Sequence, residues 1–305
     1  MYISEHEVRA LLTYEALIPA IRQALIDYSA GRVEQPPRMI LRAGNAEGHN
    51  NGWFAVMPVI AGDLMGVKTV TFYPGNAELG LHTHMAMIQL LSRATGEPLA
   101  VMDGRLITEM RTAAVSSVAL AALLPAGAQS LGILGSGVQA RAHIQAFRLV
   151  WPALREICVW SRTPANTDRL AQETGAKVVA LEEAAASDVV LTVTSSPTPV
   201  LEGSRLSPRA LVLAVGATGA SLRELDDEAM LSSFVVAESR SCAERESGDV
   251  RFSGAKVQAE IGEILAATAS QPKSRNGRVV FKSVGMAIED LTAARLVWQA
   301  RSEPK

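Results

Sequence analysis

The chain has 305 residues, of which 48% are hydrophobic, 20% charged and 5% aromatic, and 29 basic residues face 31 acidic ones for a formal charge of −2. That length suits two domains or one large one, and the near-neutral balance, without a basic stripe, excludes nucleic acid as a partner. Two separated cysteines, Cys158 and Cys242, give neither a disulfide framework nor a zinc site; with no run of ~18 apolar residues and no signal core after Met1, a cytoplasmic protein without a membrane partner is expected.

Apolar residues recur at helical spacing over residues 5–30, which read as one helical segment closed by Gly31 and barred from continuing by Pro36-Pro37. Strand patterns follow at Arg38–Arg42, Trp53–Val59 and Gly66–Tyr73, separated by Gly/Asn-rich stretches such as Gly44–Gly52, and read as an antiparallel sheet. Thr83–Leu91 suits a strand or a short helix, Thr95–Pro98 a turn into Leu99–Met102, and about Thr108–Leu123 a helix. After a linker at Pro125–Gln129 the rhythm alternates between strands and helices. Candidate strands are Ser130–Leu134, Glu156–Trp160, Lys177–Val179, Val189–Thr194, Leu211–Ala214 and Phe234–Ala237, the pattern of a doubly wound parallel sheet. Ser239–Gly254 reads as loop and Val284–Ala300 as a last helix. The expected fold is α/β. A Rossmann-type domain spans 125–285, and an α+β domain for substrate and dimerisation spans 1–124, with the last helix (about 286–305) packing back on it.

The strand pattern Ser130–Leu134 runs into Gly135-Ser136-Gly137-Val138-Gln139-Ala140, the G-x-G-x-x-A form of the dinucleotide fingerprint. The first glycine permits the tight turn, the second lets a pyrophosphate approach the backbone, and the small third residue lets helix and strand pack closely. A helix pattern (about Val138–Leu149) and a second strand follow, so the new helix start would face the phosphates. After that second strand, where an NAD site carries an acid, the chain has Ser161-Arg162-Thr163. A guanidinium and two hydroxyls suit a 2′-phosphate, which predicts NADPH, with NADH as the alternative.

Arg38, Lys68 and Arg111 sit at strand or helix edges, and a cation on a buried side needs a partner that a substrate carboxylate would supply. Spacing alone leaves surface or structural roles open. His82 and His84 alternate like strand neighbours, but no acid or cysteine at metal spacing joins them, so no metal is assigned. His143, on the fingerprint helix, is expected to be exposed, and Asp226-Asp227 to cap a helix start.

The segments Met57-Pro58, Gly66-Val67-Lys68, Phe72–Asn76, Thr95–Pro98, Met102–Gly104, Thr108–Ala114, Gly135–Ala140, Arg223–Asp226 and Phe281–Asp290, in this order, resemble the ornithine cyclodeaminase/mu-crystallin family along nearly the whole chain. The resemblance implies a homodimer formed through the sheet of the first domain. It implies that Arg38, Lys68 and Arg111 clamp a substrate carboxylate, with Lys68 nearest the reacting centre. It also implies that Thr83, Gly135, Ser136, Gly137, Val138, Gln139, Ser161, Arg162, Thr163 and Ser283 line the cofactor together with Arg111, with Thr194, Ser195 and Val215 near its nicotinamide end.

Two departures matter. Ornithine cyclodeaminases use a Glu two residues before the Met-Pro pair, where this chain has Ala55, and an Asp in the glycine-rich segment after the fifth sheet strand, where Thr218 falls closest. Cyclodeamination needs a carboxylate to steer the amine and manage protons. The missing Asp also counts against an alanine dehydrogenase, whereas Ser161–Thr163 and Arg223–Asp226 look closer to the ketimine reductase branch. The reading is an NADPH-dependent reductase taking 1-pyrroline-2-carboxylate or 1-piperideine-2-carboxylate to proline or pipecolate. Ornithine cyclodeaminase, an amino-acid dehydrogenase, and a non-catalytic NADPH-dependent ligand binder are the alternatives.

Overall fold

The computed structural model describes residues 1–44, 51–269 and 277–302. Most of the Gly44–Gly52 separator therefore lies outside the described residues. The chain divides into two units, Met1–Thr112 with Met286–Lys305, and Ala113–Gly285. The first division falls inside the helix Arg105–Leu123, and residues 125–129 form the loop after it.

In the first unit the described residues form a seven-stranded sheet. Strand Gly52–Ala61 pairs antiparallel with Leu64–Phe72, which pairs with His84–Ser92, which pairs with Pro98–Asp103. Val33–Glu34 and Met39–Ala43 both pair with Gly52–Ala61. The sheet is mixed rather than antiparallel, because Tyr2–Ile3 adds to Pro98–Asp103 in parallel. Thr83 precedes a strand, not a helix: alternation in His84–Ser92 buries Ile88 and Leu90 on one face.

Residues 5–30 form two helices, Glu5–Leu11 and Tyr14–Ser29. Leu12 is extended and the Thr13 side chain accepts from the Ala16 N–H, starting a new helix where periodicity alone reads through. Helix Tyr14–Ser29 and the C-terminal helix Ala287–Ser302 pack on each other, and the latter lies on the central strands. Ala55, Met57, Val59, Val70, Ile88 and Leu90 supply the buried sheet face.

In the second unit eight described strands, all parallel, run in the order Lys177–Val178, Glu156–Trp160, Ser130–Leu134, Val189–Thr192, Leu211–Ala214, Arg278–Lys282, Ser233–Ala237 and Ala259–Glu260. The order reverses between Ser130–Leu134 and Val189–Thr192, the switch point beside which doubly wound sheets bind ligands. Val189–Thr192 and Leu211–Ala214 are buried at every position, as strands covered on both faces must be.

Two expectations need correction here, and one strand escapes the sequence pattern. Ser239–Gly254 is not loop but two helices, Arg240–Glu246 and Gly248–Ser253. Its serines and glycine are caps: Ser239 and Ser247 accept from the Cys242 and Val250 N–H groups, and Gly254 closes the second helix in a left-handed conformation. Strand Arg278–Lys282, unread in the sequence, occupies a central place in the sheet, because its three apolar residues are masked by charges at both ends. His143 is buried, not exposed, since its ring packs edge-on against Phe147 and bonds to Gln139 and Ser116.

Helix Arg105–Leu123 has the length and apolarity of a membrane span, but 72% of its most apolar window is buried inside the fold. It is a core helix whose first turn is held by Arg105 against Glu5.

Candidate active site

In the second unit the glycine-rich turn follows strand Ser130–Leu134. Gly135 has φ +120°, and a Cβ there would come 2.8 Å from the Val193 carbonyl oxygen, so the turn needs glycine on two counts. Gly137 caps the 13-residue helix Val138–Val150, and a Cβ there would meet nothing within 4 Å. The first N–H groups of a helix have no acceptor within it, so the open side of Gly137 is a cradle for an anionic group. Gln139 adds a buried Oε1 with no hydrogen-bond partner among the described residues. Val138 is half exposed. The open helix start at Gly137 fits a dinucleotide pyrophosphate, whereas Gln139 Oε1, an acceptor, suits a hydroxyl or N–H donor instead.

Ser136 Oγ lies 2.8 Å from Ser161 Oγ, which also bonds Thr167 Oγ1 at 2.8 Å and accepts from the Thr163 N–H. Arg162 and Thr163 are exposed, and among the described residues Arg162 makes no ion pair.

The loops after Val189–Thr192 and Leu211–Ala214 are tied by a residue that has no assigned role in the sequence reading. Glu224, fully buried, accepts from the N–H groups of Thr194 (2.6 Å), Gly216 (2.8 Å) and Ala217 (3.1 Å) and from the Thr192 hydroxyl (2.8 Å). Burial pushes its carboxyl up, while Lys282 and the Thr194 N–H oppose that. Asp249 Oδ1 accepts from the backbone of Glu224 and Leu225, and its Oδ2 pairs with Lys282 Nζ at 2.9 Å. Thr194 is thus fixed through its backbone, Ser195 is exposed, and Val215 is buried with its N–H on the Thr192 carbonyl. Ser283 is buried and donates its hydroxyl to Glu238 at 2.5 Å, which also accepts from the Val284 and Gly285 N–H groups.

In the first unit Lys68 and Arg111 converge. Lys68, on the buried face of Leu64–Phe72, places Nζ 2.6 Å from Asp290 Oδ2. Arg111, on the core helix, places Nε 3.0 Å from Asp290 Oδ1 and Nη1 2.6 Å from Glu289 Oε2. Both acids stand in the first turn of the C-terminal helix, where the helix dipole favours negative charge. Gln35 Oε1 fixes that helix start by accepting from the Ile288 N–H.

Burial pulls the Lys68 ammonium down to about 8; Asp290 opposes that shift, and Arg111 and Arg38 add to it. Burial alone would raise Asp290, but Lys68 and Arg111 hold it below the usual carboxylate range. Arg38, half-buried just before strand Met39–Ala43, is thus close enough to act on Lys68. His84 is held neutral, down to about 3, by burial and by the charges of Lys68 and Arg111. Thr83 is half-buried in the preceding turn, its carbonyl accepting from the Tyr73 N–H. Ala55 is fully buried, and Thr218 is exposed.

The structure therefore joins Lys68 and Arg111, brings Arg38 near them, and adds Asp290, Glu289 and His84. The one signal for the acids is two carboxylates set inside the apolar run Met286–Leu291.

A glycine turn at the switch point of a parallel sheet, with a second unit burying a cluster of cations and acids, defines an α/β dinucleotide-binding protein. Residues 1–305 match the family described as ornithine cyclodeaminase/mu-crystallin, and the chain belongs to that family. It is 38% identical to the mouse (Mus musculus) ketimine reductase mu-crystallin over 314 residues, covering all of this chain and 98% of the relative. Its fold matches that of Thermococcus litoralis Delta(1)-pyrroline-2-carboxylate reductase in complex with NADH and L-proline, with a TM-score of 0.91 and 30% identity over 98% of this chain and 97% of the other. An archaeal alanine dehydrogenase dimer with bound NAD matches equally in TM-score, 0.91, at 27% identity over 98% and 95% of the two chains.

Proposed function

We propose that the chain is an NADPH-dependent reductase of cyclic ketimine carboxylates, taking 1-pyrroline-2-carboxylate or 1-piperideine-2-carboxylate to the cyclic amino acid. The observation that carries this reading is the buried cluster around Asp290. Asp290 draws Lys68 and Arg111 to one point of the first unit, and Arg38 lies close enough to act on Lys68, so three cations gather where a substrate carboxylate could be held. The likeness to the mouse ketimine reductase and to the proline-bound reductase supports the substrate class.

Gly135–Gln139 would hold the pyrophosphate, and Ser161, Arg162 and Thr163 the adenosine 2′-phosphate; NADH, which lacks that phosphate, would bind less tightly. The dinucleotide, when bound in its reduced form, supplies the hydride. Arg111 and Arg38 bind the carboxylate, and a planar guanidinium fixes the plane of the ring attached to it. Lys68 Nζ, a cation below about pH 8, adds charge to the clamp and holds a proton that can pass to the imine nitrogen as it becomes an amine. Neutral His84 takes no charge from the clamp. Ala55 and Thr218 offer no acid for cyclodeamination of ornithine.

Among the described residues, the sheet face opposite Lys68 is largely apolar and partly exposed. Register aligns Met39, Val56, Thr69 and Met87 in one row and Leu41, Phe54, Thr71 and Met85 in another, and Met39, Leu41, Met85 and Met87 are exposed. A second copy of the chain covering this face is the homodimer reading, and sedimentation at micromolar concentration checks it.

The deciding assay follows NADPH oxidation with 1-pyrroline-2-carboxylate, 1-piperideine-2-carboxylate, iminosuccinate, and pyruvate with ammonia, with NADH in parallel. Fast turnover of a cyclic imine is expected. Ammonia release from ornithine with NAD, or tight NADPH binding with silence across the panel, would overturn the reading.

A further inference from the structure

The cluster in the first unit has a feature beyond charge neutralisation. Each oxygen of Asp290 is taken by a different cation of the clamp: Oδ2 by Lys68 Nζ at 2.6 Å and Oδ1 by Arg111 Nε at 3.0 Å. Glu289, its neighbour, touches Arg111 alone of these two, at 2.6 Å. Lys68, Asp290 and Glu289 are each at most 3% exposed and Arg111 6%. Burying four charges costs several kcal/mol per ion, and well-packed apolar side chains often stabilise such a site as well or better. Stability alone therefore gives poor grounds for this arrangement.

The backbone makes Asp290 a fixed point. It stands in the first turn of a 16-residue helix whose start is pinned by Gln35, and that helix packs on the strands that carry Lys68 and His84. An ammonium has three donors, and Asp290 takes one of them at Lys68. The charged groups that act on Lys68 are Asp290 from the C-terminal helix, Arg111 from the core helix and Arg38 from the segment before Met39. His84, on the neighbouring strand, is neutral and feels Lys68 in turn. Asp290 is the carboxylate in that set that contacts Lys68.

We propose that Asp290 is a positioning residue, one carboxylate that orients both Lys68 and Arg111 for the substrate and keeps the Lys68 ammonium charged at neutral pH. The inference rests on the reductase reading for its substrate, but its first test does not need turnover. The chain contains six lysines, so a protein labelled with ¹³C at the lysine ε-carbon gives a short set of resonances, and Lys68→Arg assigns the one of interest. Lys68 should titrate well below the exposed lysines. In Asp290→Asn its midpoint should fall by a further ~1–3 pH units, because loss of a contacting anion removes what favours the charged form.

The alkaline limb of kcat/KM should move down in step. KM for 1-pyrroline-2-carboxylate should rise by about tenfold or more, the scale of a lost charge-assisted bond, while NADPH affinity, read by fluorescence, stays unchanged. Asp290→Glu keeps the charge but displaces it by one methylene. It should hold the Lys68 midpoint and still raise KM, which provides the test if the asparagine variant does not fold. An unmoved Lys68 midpoint in Asp290→Asn, or wild-type KM in Asp290→Glu, overturns the proposal. A wild-type protein that turns over no imine yet shows the Lys68 shift in Asp290→Asn would fail the reductase reading alone.

Discussion

Ser136 Oγ and Ser161 Oγ lie 2.8 Å apart, so hydroxyls tie the glycine-rich turn to the end of the next strand. Ser161 is further held by Thr167 and the Thr163 N–H, and Arg162 projects from this braced corner with no ion pair among the described residues. A rigid corner with an exposed guanidinium suits a 2′-phosphate. Arg162→Ala should raise KM for NADPH by about 10- to 100-fold, the scale of a lost charge-assisted bond, and leave KM for NADH nearly unchanged. Steady-state kinetics with both cofactors decides it, and parallel losses with the two would remove Arg162 from cofactor selection.

Arg111 has two jobs that one substitution will expose together. Arg111→Ala should cut kcat/KM for the imine by about 100-fold or more. It should also destabilise the fold by roughly 3–5 kcal/mol, because Glu289 loses a buried partner and Asp290 one of two. Arg111→Lys separates the effects: it keeps a charge for the acids but loses the planar fork, so KM should rise while the thermal midpoint holds better than in the alanine variant. A folded alanine variant that keeps at least a third of its kcat/KM would rule out the carboxylate clamp.

The parts of the fold that speak through short-range pattern are legible in the sequence. Ser130–Leu134, Glu156–Trp160 and Leu211–Ala214 read residue for residue, because apolar runs end at glycine or at polar turns. The fingerprint reads for the same reason: its glycines do local steric work. What does not read is set by distant partners. Lys282 stands in a segment that shows no strand pattern in the sequence, and it is wholly buried because Asp249 pairs with it. Glu289 and Asp290 look like ordinary acids at a helix start until Lys68 and Arg111 are brought to them. His143 has the sequence context of a surface residue on an amphipathic helix and lies inside because Ser116 accommodates its far nitrogen.

Glu224 joins the loops after two neighbouring strands, and an amide cannot replace it. Glutamine offers one oxygen and a donor group, so Glu224→Gln would set an N–H₂ against the N–H of Thr194 or of Gly216 and Ala217. A buried donor left without an acceptor costs about 1–3 kcal/mol. Thermal stability should fall by that amount, and NADPH affinity should weaken more than imine affinity, because Thr194 and Val215 flank the displaced backbone. Fluorescence titration of NADPH reads the second effect, and an unchanged Kd would detach these loops from the cofactor.

His143 is expected to make the fold sensitive to mild acid. Its Nδ1 lies 2.7 Å from the Gln139 carbonyl and must donate, so the neutral ring accepts from the Ser116 hydroxyl through Nε2, at 2.9 Å. Burial brings its pKa down to about 4, with the Gln139 carbonyl pulling the other way. The unfolded chain takes up this proton near pH 6.5 and the folded chain only near pH 4, so the unfolded state binds more protons in between. The contribution is fully present above pH 6.5 and is lost as pH falls toward 4. Between pH 7 and pH 5 the loss amounts to about 2 kcal/mol by linkage. His143→Gln lacks the titrating ring, so it should start less stable at pH 7 and lose correspondingly less on going to pH 5. Urea midpoints at the two pH values measure both slopes. Equal slopes for the two proteins would mean that other groups carry the acid sensitivity and that His143 does not gain a proton on unfolding in this range.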